Sequence, residues 1–168
     1  MKYLTRLLLA GGLMATAGAV HADEADFLQS LDGDWSGKGM VKVRTDSSPV
    51  NVSCSFDSDA TATSLSLDGN CRGMIIISRA IGADLKASGT KYSGSYTGAG
   101  TGTAGLNGKR SGNAINLGIR WAKEVNGDRV AQMTVKKVGE NGMTLTTVDT
   151  DPKTGKSVVT SQINLRRS

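Results

Sequence analysis

The chain has 168 residues, of which 20 are Lys or Arg and 15 are Asp or Glu, with a formal net charge of +5 at pH 7. Aromatic residues are few, but the apolar residues recur at regular intervals, which favours one folded domain over disorder. The basic residues are scattered, whereas a nucleic-acid surface needs a basic stripe with aromatic stacking platforms. We therefore expect no nucleic-acid partner. Basic residues adjoin only at Lys109-Arg110, Lys136-Lys137 and Arg166-Arg167.

Residues 1–22 have the pattern of a secretory signal. Lys2 and Arg6 precede a short apolar run, and Ala22 provides the small residue at the end. We predict cleavage after Ala22, a single β-barrel domain over residues 23–168, and a periplasmic or secreted location. The apolar run is shorter than the roughly 20 residues that span a bilayer, so no membrane span is expected after cleavage.

Residues 23–31 are predicted to form one or two helical turns. Acidic residues lie at the start, where they are favourable near a helix N-terminus. Phe27, Leu28 and Leu31 follow at helical spacing. We expect this short N-terminal helix to close one end of the barrel.

The first strand is predicted over residues 33–44. Trp35, Gly37 and Gly39 share one face with two valines, while lysines and an arginine occupy the other. This two-residue period is typical of a half-buried strand. A Trp followed on its own face by two glycines predicts a sharp bend, which is a feature of small closed barrels.

Residues 50–57 and 64–71 also alternate, and a hairpin between them would place Cys54 opposite Cys71. An exported chain with two cysteines usually pairs them, so we expect one disulfide. Two alternatives remain at this point. The cysteines could be free thiols, or the turn-forming segment 68–70 could end the second strand early.

The remaining chain predicts an all-β, up-and-down antiparallel barrel of 8–10 strands. Residues 74–77 form a short apolar run, and further strands are predicted near 113–121, 129–137, 142–149 and 157–167, separated by turn residues. No helical segment is long enough for a parallel crossover.

An unusual alternation runs from residue 92 to 103. Glycines and two tyrosines occupy the even positions, while small and polar residues occupy the odd ones. Such a face either leaves an interior void or allows a close approach by another surface. The even positions are Tyr92, Gly94, Tyr96, Gly98, Gly100 and Gly102.

Most catalytic chemistry is excluded by composition. The only histidine, His21, lies in the predicted signal, which leaves no His-based triad, general base or typical zinc site. Residues 100–105 match the G-x-G-x-x-G spacing, but the β-like alternation runs through them, so the strand and helix that the motif needs are missing. We expect no cofactor.

Aspartates are the remaining candidates for acid/base chemistry or calcium binding. They cluster at predicted strand ends, where Asp is common for its turn preference, and their spacing fits no calcium loop. We therefore expect no metal site and no enzymatic activity. The aspartates concerned are Asp57, Asp59, Asp68, Asp149 and Asp151.

The segment 33–35, Gly-Asp-Trp, together with Arg166 and Arg167, resembles the G-x-W strand and closing arginine of the calycins, which include lipocalins, fatty-acid-binding proteins and avidins. The resemblance implies structural roles for Gly33 and Trp35, with one of the two arginines lying across the indole at the closed end.

Two narrower resemblances point to different functions. Segment 92–96 is similar to a G-x-Y strand of avidins. Segment 31–35, with the single disulfide, resembles the bacterial metalloprotease inhibitors of lipocalin-like shape, in which a short N-terminal segment enters the target enzyme. Over most of its length the chain resembles a group of small exported bacterial proteins of unknown function.

We therefore expect a binding protein that holds a small apolar or amphipathic ligand in the barrel mouth, with Tyr92, Tyr96 and Trp121 as lining residues. The alternative is an interaction protein of the cell envelope, including a protease inhibitor, that would act through the acidic segment 23–26.

Overall fold

The computed structural model describes residues 18–73, 77–98, 100 and 102–168. Most of the predicted signal and residues 74–76 of the apolar run lie outside these residues. One helix, α1 (Gly18–Gln29), precedes ten strands. The strands are β1 (Gly33–Val41), β2 (Val50–Ala60), β3 (Ser64–Gly73), β4 (Ile77–Ser88), β5 (Lys91–Thr97), β6 (Ala104–Ser111), β7 (Ala114–Val125), β8 (Asp128–Val138), β9 (Gly142–Thr150) and β10 (Ser157–Arg167).

The ten strands form a closed antiparallel barrel. Each strand pairs with its neighbours in the chain, and β1 pairs with β10 to close the sheet. Apolar side chains alternate inward along each strand and meet in one core. The predicted all-β, up-and-down architecture is confirmed, with the strand count at the upper limit of the prediction.

Glycines on β1 allow it to lie unusually close to β10. A Cβ atom on Gly37 would lie 2.0 Å from the carbonyl oxygen of Asn164, and one on Gly39 would lie 2.1 Å from that of Gln162. Larger residues at these positions would push the two strands apart, so the glycines permit this close approach. Gly94 on β5 does the same, since its Cβ would lie 1.8 Å from the Asp84 oxygen.

The predicted alternation through residues 92–103 is wrong beyond Thr97. Gly98, Gly100 and Gly102 have φ angles of 154°, 74° and 97°. These conformations are readily accessible only to glycine and end the strand, so the three residues belong to the connection between β5 and β6. They do not line the barrel wall as a continuous strand would.

The β2–β3 hairpin has the predicted register. Cys54 lies opposite Cys71, and the two are joined by a disulfide. The segment 68–70 continues as strand instead of forming a turn. The ring of Phe56 covers Gly69 opposite it, where a Cβ would lie 2.3 Å from the Phe56 ring.

Loss of the disulfide should destabilise the barrel substantially. The bond joins residues separated by 17 positions, and constraint of a loop of this size is worth about 3 kcal/mol in the chain-entropy account. We expect the double variant Cys54→Ala/Cys71→Ala to lose about that much free energy of unfolding in urea. The reduced wild-type chain is the control, and equal stability of the oxidised and reduced chains would contradict the prediction.

Helix α1 packs against one end of the barrel. Leu28, and Leu31 just beyond the helix, have no exposed surface and continue the barrel core. The helix begins at Gly18, earlier than predicted, so Asp23 and Asp26 lie within it and not in its first turn.

One finding concerns membrane-spanning helices, and another concerns the cellular compartment. In the described ranges, no helix has the length and apolarity to cross a membrane. The disulfide is consistent with an oxidising location such as the periplasm or the extracellular space.

Candidate functional site

The two ends of the barrel differ in character. We call the end against which α1 packs the covered end; β1, β3, β5, β7 and β9 begin there. The opposite end, which we call the open end, carries the connections 42–49, 98–103 and 151–156. The sequence-predicted residues divide between these two ends.

Trp35 and Arg167 form the centre of the covered end. The Arg167 guanidinium lies 4.5 Å from the centroid of the Trp35 ring, and it donates hydrogen bonds to the carbonyls of Ser30, at 2.9 Å, and Asp32. The indole Nε1 of Trp35 donates to the Leu31 carbonyl at 2.9 Å. The strand end, the indole and the segment after α1 are thus joined.

Arg167, and not Arg166, is the arginine that covers the indole. Arg166 pairs with Ser36 on the outer face and is exposed. Gly33 has a φ angle of 101°, and a Cβ there would lie 2.7 Å from Arg167 Nη1. Glycine at this position therefore leaves room for the arginine.

Lys137 is a second cation at Trp35 that the sequence analysis did not single out. Its Nζ lies 5.6 Å from the indole centroid and donates to the carbonyls of Gly139, at 2.6 Å, and Glu140. Burial, and then the charge of Arg167, lower the pKa of Lys137. Lys137 lies at an odd-numbered position of β8, as the inward-facing residues of that strand do, and this alternation could have predicted its burial from the sequence.

Tyr92 lies at the covered end, in a buried polar cluster with Glu24 and Arg110. Its hydroxyl donates to Glu24 Oε1, and Arg110 Nε donates to Glu24 Oε2 at 2.8 Å. Arg110 also pairs with Asp23 and lies 4.8 Å from the centroid of the Phe27 ring. This cluster fastens α1 to β5 and β6, and it separates Tyr92 from the other predicted ligand residues.

The Tyr92 contacts predict a loss of stability in alkali. Burial, and then the hydrogen bond to Glu24, raise the pKa of Tyr92 from its ordinary value of 10.0. Because the folded-state pKa is the higher one, the stabilisation is fully present below pH 10 and is lost as the pH rises above it. Urea unfolding of wild type and Tyr92→Phe over this range should show the difference in stability narrowing above about pH 10. A constant difference would contradict the prediction.

Tyr96 and Trp121 meet at the open end. Their ring centroids lie 5.9 Å apart in an edge-to-face arrangement with an interplanar angle of 64°. Burial raises the pKa of Tyr96, and the nearby Arg79 charge acts in the opposite direction. Arg79 donates from Nη1 to the Gly98 carbonyl at 3.3 Å. We call Arg79, Tyr96, Gly98 and Trp121 the open-end cluster.

The indole Nε1 of Trp121 is buried and has no hydrogen-bond partner among the described residues. Trp121 is only 4% exposed. The pairing of β7 with β8 is interrupted between Arg120 and Val125. In this interval the Arg129 side chain donates hydrogen bonds to the backbone carbonyls of Trp121 and Ala122, at 3.0 and 2.8 Å. The side-chain donor of Trp121 has no such partner within the described ranges, which is an uncommon condition for a buried polar atom.

Small residues flank the aromatic pair. Ala83 on β4 and Ala104 on β6 lie directly opposite Tyr96 on its two neighbouring strands. Both alanines are buried. Small side chains on both sides of one large side chain give the Tyr96 ring room within the barrel wall.

The candidate aspartates lie either on the outer face of the barrel or in hydrogen bonds that hold its connections. Asp57 lies opposite Asp68 on the exposed outer face. The buried Asp151 accepts hydrogen bonds from Thr154 and Thr45, which lower its pKa. Asp149 accepts one from Asn126 at 2.6 Å. The last two aspartates tie the open-end connections together.

A metal site receives no support from these aspartates or from the rest of the described chain. In the part that the structure describes, no group of three or more His, Cys, Asp or Glu residues is placed to hold a metal ion.

Comparisons with known proteins establish similarity of fold alone. No protein-family model and no curated protein matches the chain. Twelve chains of solved structures match it. One is the crystal structure of Rv2717c from M. tuberculosis, with a TM-score of 0.64, 12% sequence identity, and coverage of 90% of this chain and 98% of that one.

Proposed function

We propose that this protein is an exported, non-enzymatic barrel of the calycin type that binds a small apolar or amphipathic molecule at its open end. The observation that carries the proposal is the buried, unpartnered Nε1 of Trp121. A buried donor without an acceptor costs about 1–3 kcal/mol. A ligand that supplies an acceptor would recover that loss.

The arrangement of the two ends supports the same location. The covered end is filled by Leu28, Leu31 and Trp35, all of them almost fully buried. The open end instead combines an aromatic pair with flanking alanines. Apolar and aromatic walls with a few well-placed polar groups are what small-molecule sites generally have.

Contacts of the N-terminal segment count against the alternative of a protease inhibitor that acts through residues 23–26. Glu24 is 3% exposed and is bound to Tyr92 and Arg110. Asp23 also pairs with Arg110. Insertion of this segment into an enzyme would first have to break a buried ion pair, at a cost of several kcal/mol. We therefore favour the small-molecule proposal.

Native mass spectrometry of protein purified from its own host tests the proposal first. We expect a bound small molecule, and for that molecule a rise in melting temperature that depends on its concentration. Absence of a co-purifying species, together with no shift across a panel of lipids and metabolites, would contradict ligand binding.

The variant Trp121→Phe tests the location. It keeps an aromatic ring but removes the donor, so we expect the affinity for the co-purifying molecule to fall about tenfold, the equivalent of one hydrogen bond. Tyr92→Phe removes one polar atom from an aromatic ring at the covered end and serves as the matched control, with unchanged affinity. Equal affinity of Trp121→Phe and wild type would place the ligand elsewhere.

A further inference from the structure

We infer that the ligand is an anionic amphiphile whose acidic group is bound by the donors of the open-end cluster, while its apolar part lies along the Tyr96–Trp121 pair. This inference rests on the proposed function and adds the sign of the ligand's charge. Its basis is that the polar side chains of the open-end cluster, the Arg79 guanidinium, the Tyr96 hydroxyl and the Trp121 indole, can all donate hydrogen bonds, and two of the three cannot accept them. The carboxylates at the same end, Asp149 and Asp151, lie outside this cluster and accept hydrogen bonds from Asn126, Thr45 and Thr154.

Arg79 is placed to reach the interior. It lies directly opposite Cys71, an inward residue of β3, and two positions from Ile81 on the same face of β4. Residues opposite each other in an antiparallel pair project from the same side of the sheet. Arg79 thus occupies an inward-facing register position at the barrel mouth, where its exposed side chain reaches the connection between β5 and β6.

Arg79 has donors to spare. A guanidinium has five N–H donors, and its hydrogen bonding to described residues consists of one bond, to the Gly98 carbonyl at 3.3 Å. None of the four ion pairs found between described residues includes it. Arg110 at the covered end, by contrast, pairs with two carboxylates. The charge of Arg79 is therefore not matched by the described part of its own chain.

Tyr96 and Trp121 connect this charge to the apolar interior. Gly98, which accepts from Arg79, also lies beside the Tyr96 hydroxyl, since a Cβ on Gly98 would lie 2.7 Å from that oxygen. The Tyr96 ring in turn packs edge-to-face with the Trp121 ring. The site thus runs from a cation at the rim to a buried donor among apolar side chains, which is the distribution that an anionic amphiphile complements.

Four ten-carbon probes separate charge from apolarity. Decanoate and decyl sulfate are anions, decanol is neutral and decylamine is a cation. Titration calorimetry with the full mature chain, below the concentrations at which the probes form micelles, should show both anions binding. A hydrogen bond to a charged group is worth about 1.5–3 kcal/mol, so we expect decanol to bind about ten- to hundredfold more weakly than the anions, and decylamine more weakly still.

Arg79→Gln tests the residue itself. It should weaken decanoate binding about tenfold or more and leave decanol binding unchanged. Arg72→Gln is the matched control, because Arg72 is an exposed arginine opposite Ser78 on the outer face of the adjacent strand. Arg79→Lys, which keeps the charge, should retain most of the affinity for the anions.

Each outcome bears on one of the two proposals. Equal binding of decylamine and decanoate, or unchanged decanoate binding in Arg79→Gln, would overturn the anionic assignment while leaving a small-molecule site at the open end. Binding of decanol alone would do the same. If none of the four probes binds, the anionic assignment falls, and the co-purification experiment decides whether the barrel carries a ligand of another class. Binding of only one of the two anions would support the assignment and distinguish a carboxylate from a sulfate ester.

Discussion

Glu24→Ala is expected to lower the free energy of unfolding by about 3–5 kcal/mol, the range for removing one partner of a buried ion pair. Glu24 is 3% exposed, and the Arg110 side chain is only 10% exposed. The variant leaves the Arg110 Nε and the Tyr92 hydroxyl without their common acceptor. Urea unfolding followed by circular dichroism measures the loss.

The same helix supplies the control. Asp26 is an exposed carboxylate on α1, so Asp26→Ala removes an equal charge without uncovering a buried donor and should change stability by less than about 0.5 kcal/mol. Glu24→Gln should fall between the two, because its amide oxygen can still accept from Tyr92 but carries no charge to match Arg110. Similar losses in Glu24→Ala and Asp26→Ala would show that the buried cluster does not anchor the helix.

Local pattern was sufficient to predict the architecture because an antiparallel barrel repeats one rule. Inward and outward residues alternate along each strand, and turn residues mark where a strand reverses. The β2–β3 register followed from the same rule, since Cys54 and Cys71 had to face each other to bond. The role of Trp35 followed from the calycin resemblance, but the choice between Arg166 and Arg167 needed the pairing of β1 with β10.

The predicted ligand residues show where alternation stops being informative. Tyr92 and Tyr96 share one face of β5, but they are four positions apart along the strand, which is about 13 Å. One lies at each end of the barrel, with Glu24 beside Tyr92 and Trp121 beside Tyr96. The two-residue alternation along a strand predicts the face on which a residue lies, but it does not reveal which distant segment covers that face.

Partners that are remote in sequence account for the other residues that were missed. Glu24 and Arg110 are separated by 86 positions, and nothing in either local segment indicates that they pair. Arg79 was not singled out from the sequence, because its inward-facing register position follows only from its pairing with Cys71 on β3. The break at Gly98 was missed because a glycine that alternates with small residues fits both a strand and a loop.

Trp35→Ala is expected to lower the free energy of unfolding by about 3–5 kcal/mol, the usual range for replacing a buried aromatic residue by alanine. Trp35 is 1% exposed. Its removal also leaves Arg167 and Lys137 without the ring that both cations face. Denaturant unfolding measures the effect, and a loss below about 1 kcal/mol would mean that the covered end collapses around the missing ring.

Comparison of Trp35→Phe with Trp121→Phe separates the effect on stability of losing the indole hydrogen bond from the effect of replacing the indole by a smaller ring. At position 35 the change breaks the 2.9 Å bond from Nε1 to the Leu31 carbonyl and leaves that oxygen without its donor. At position 121 the same change removes a donor that has no partner among the described residues. We therefore expect Trp35→Phe to cost about 1–3 kcal/mol more than Trp121→Phe in the ligand-free protein. Equal losses would mean that Trp121 Nε1 is bonded in solution, and the argument for a ligand acceptor at the open end would then fail with it.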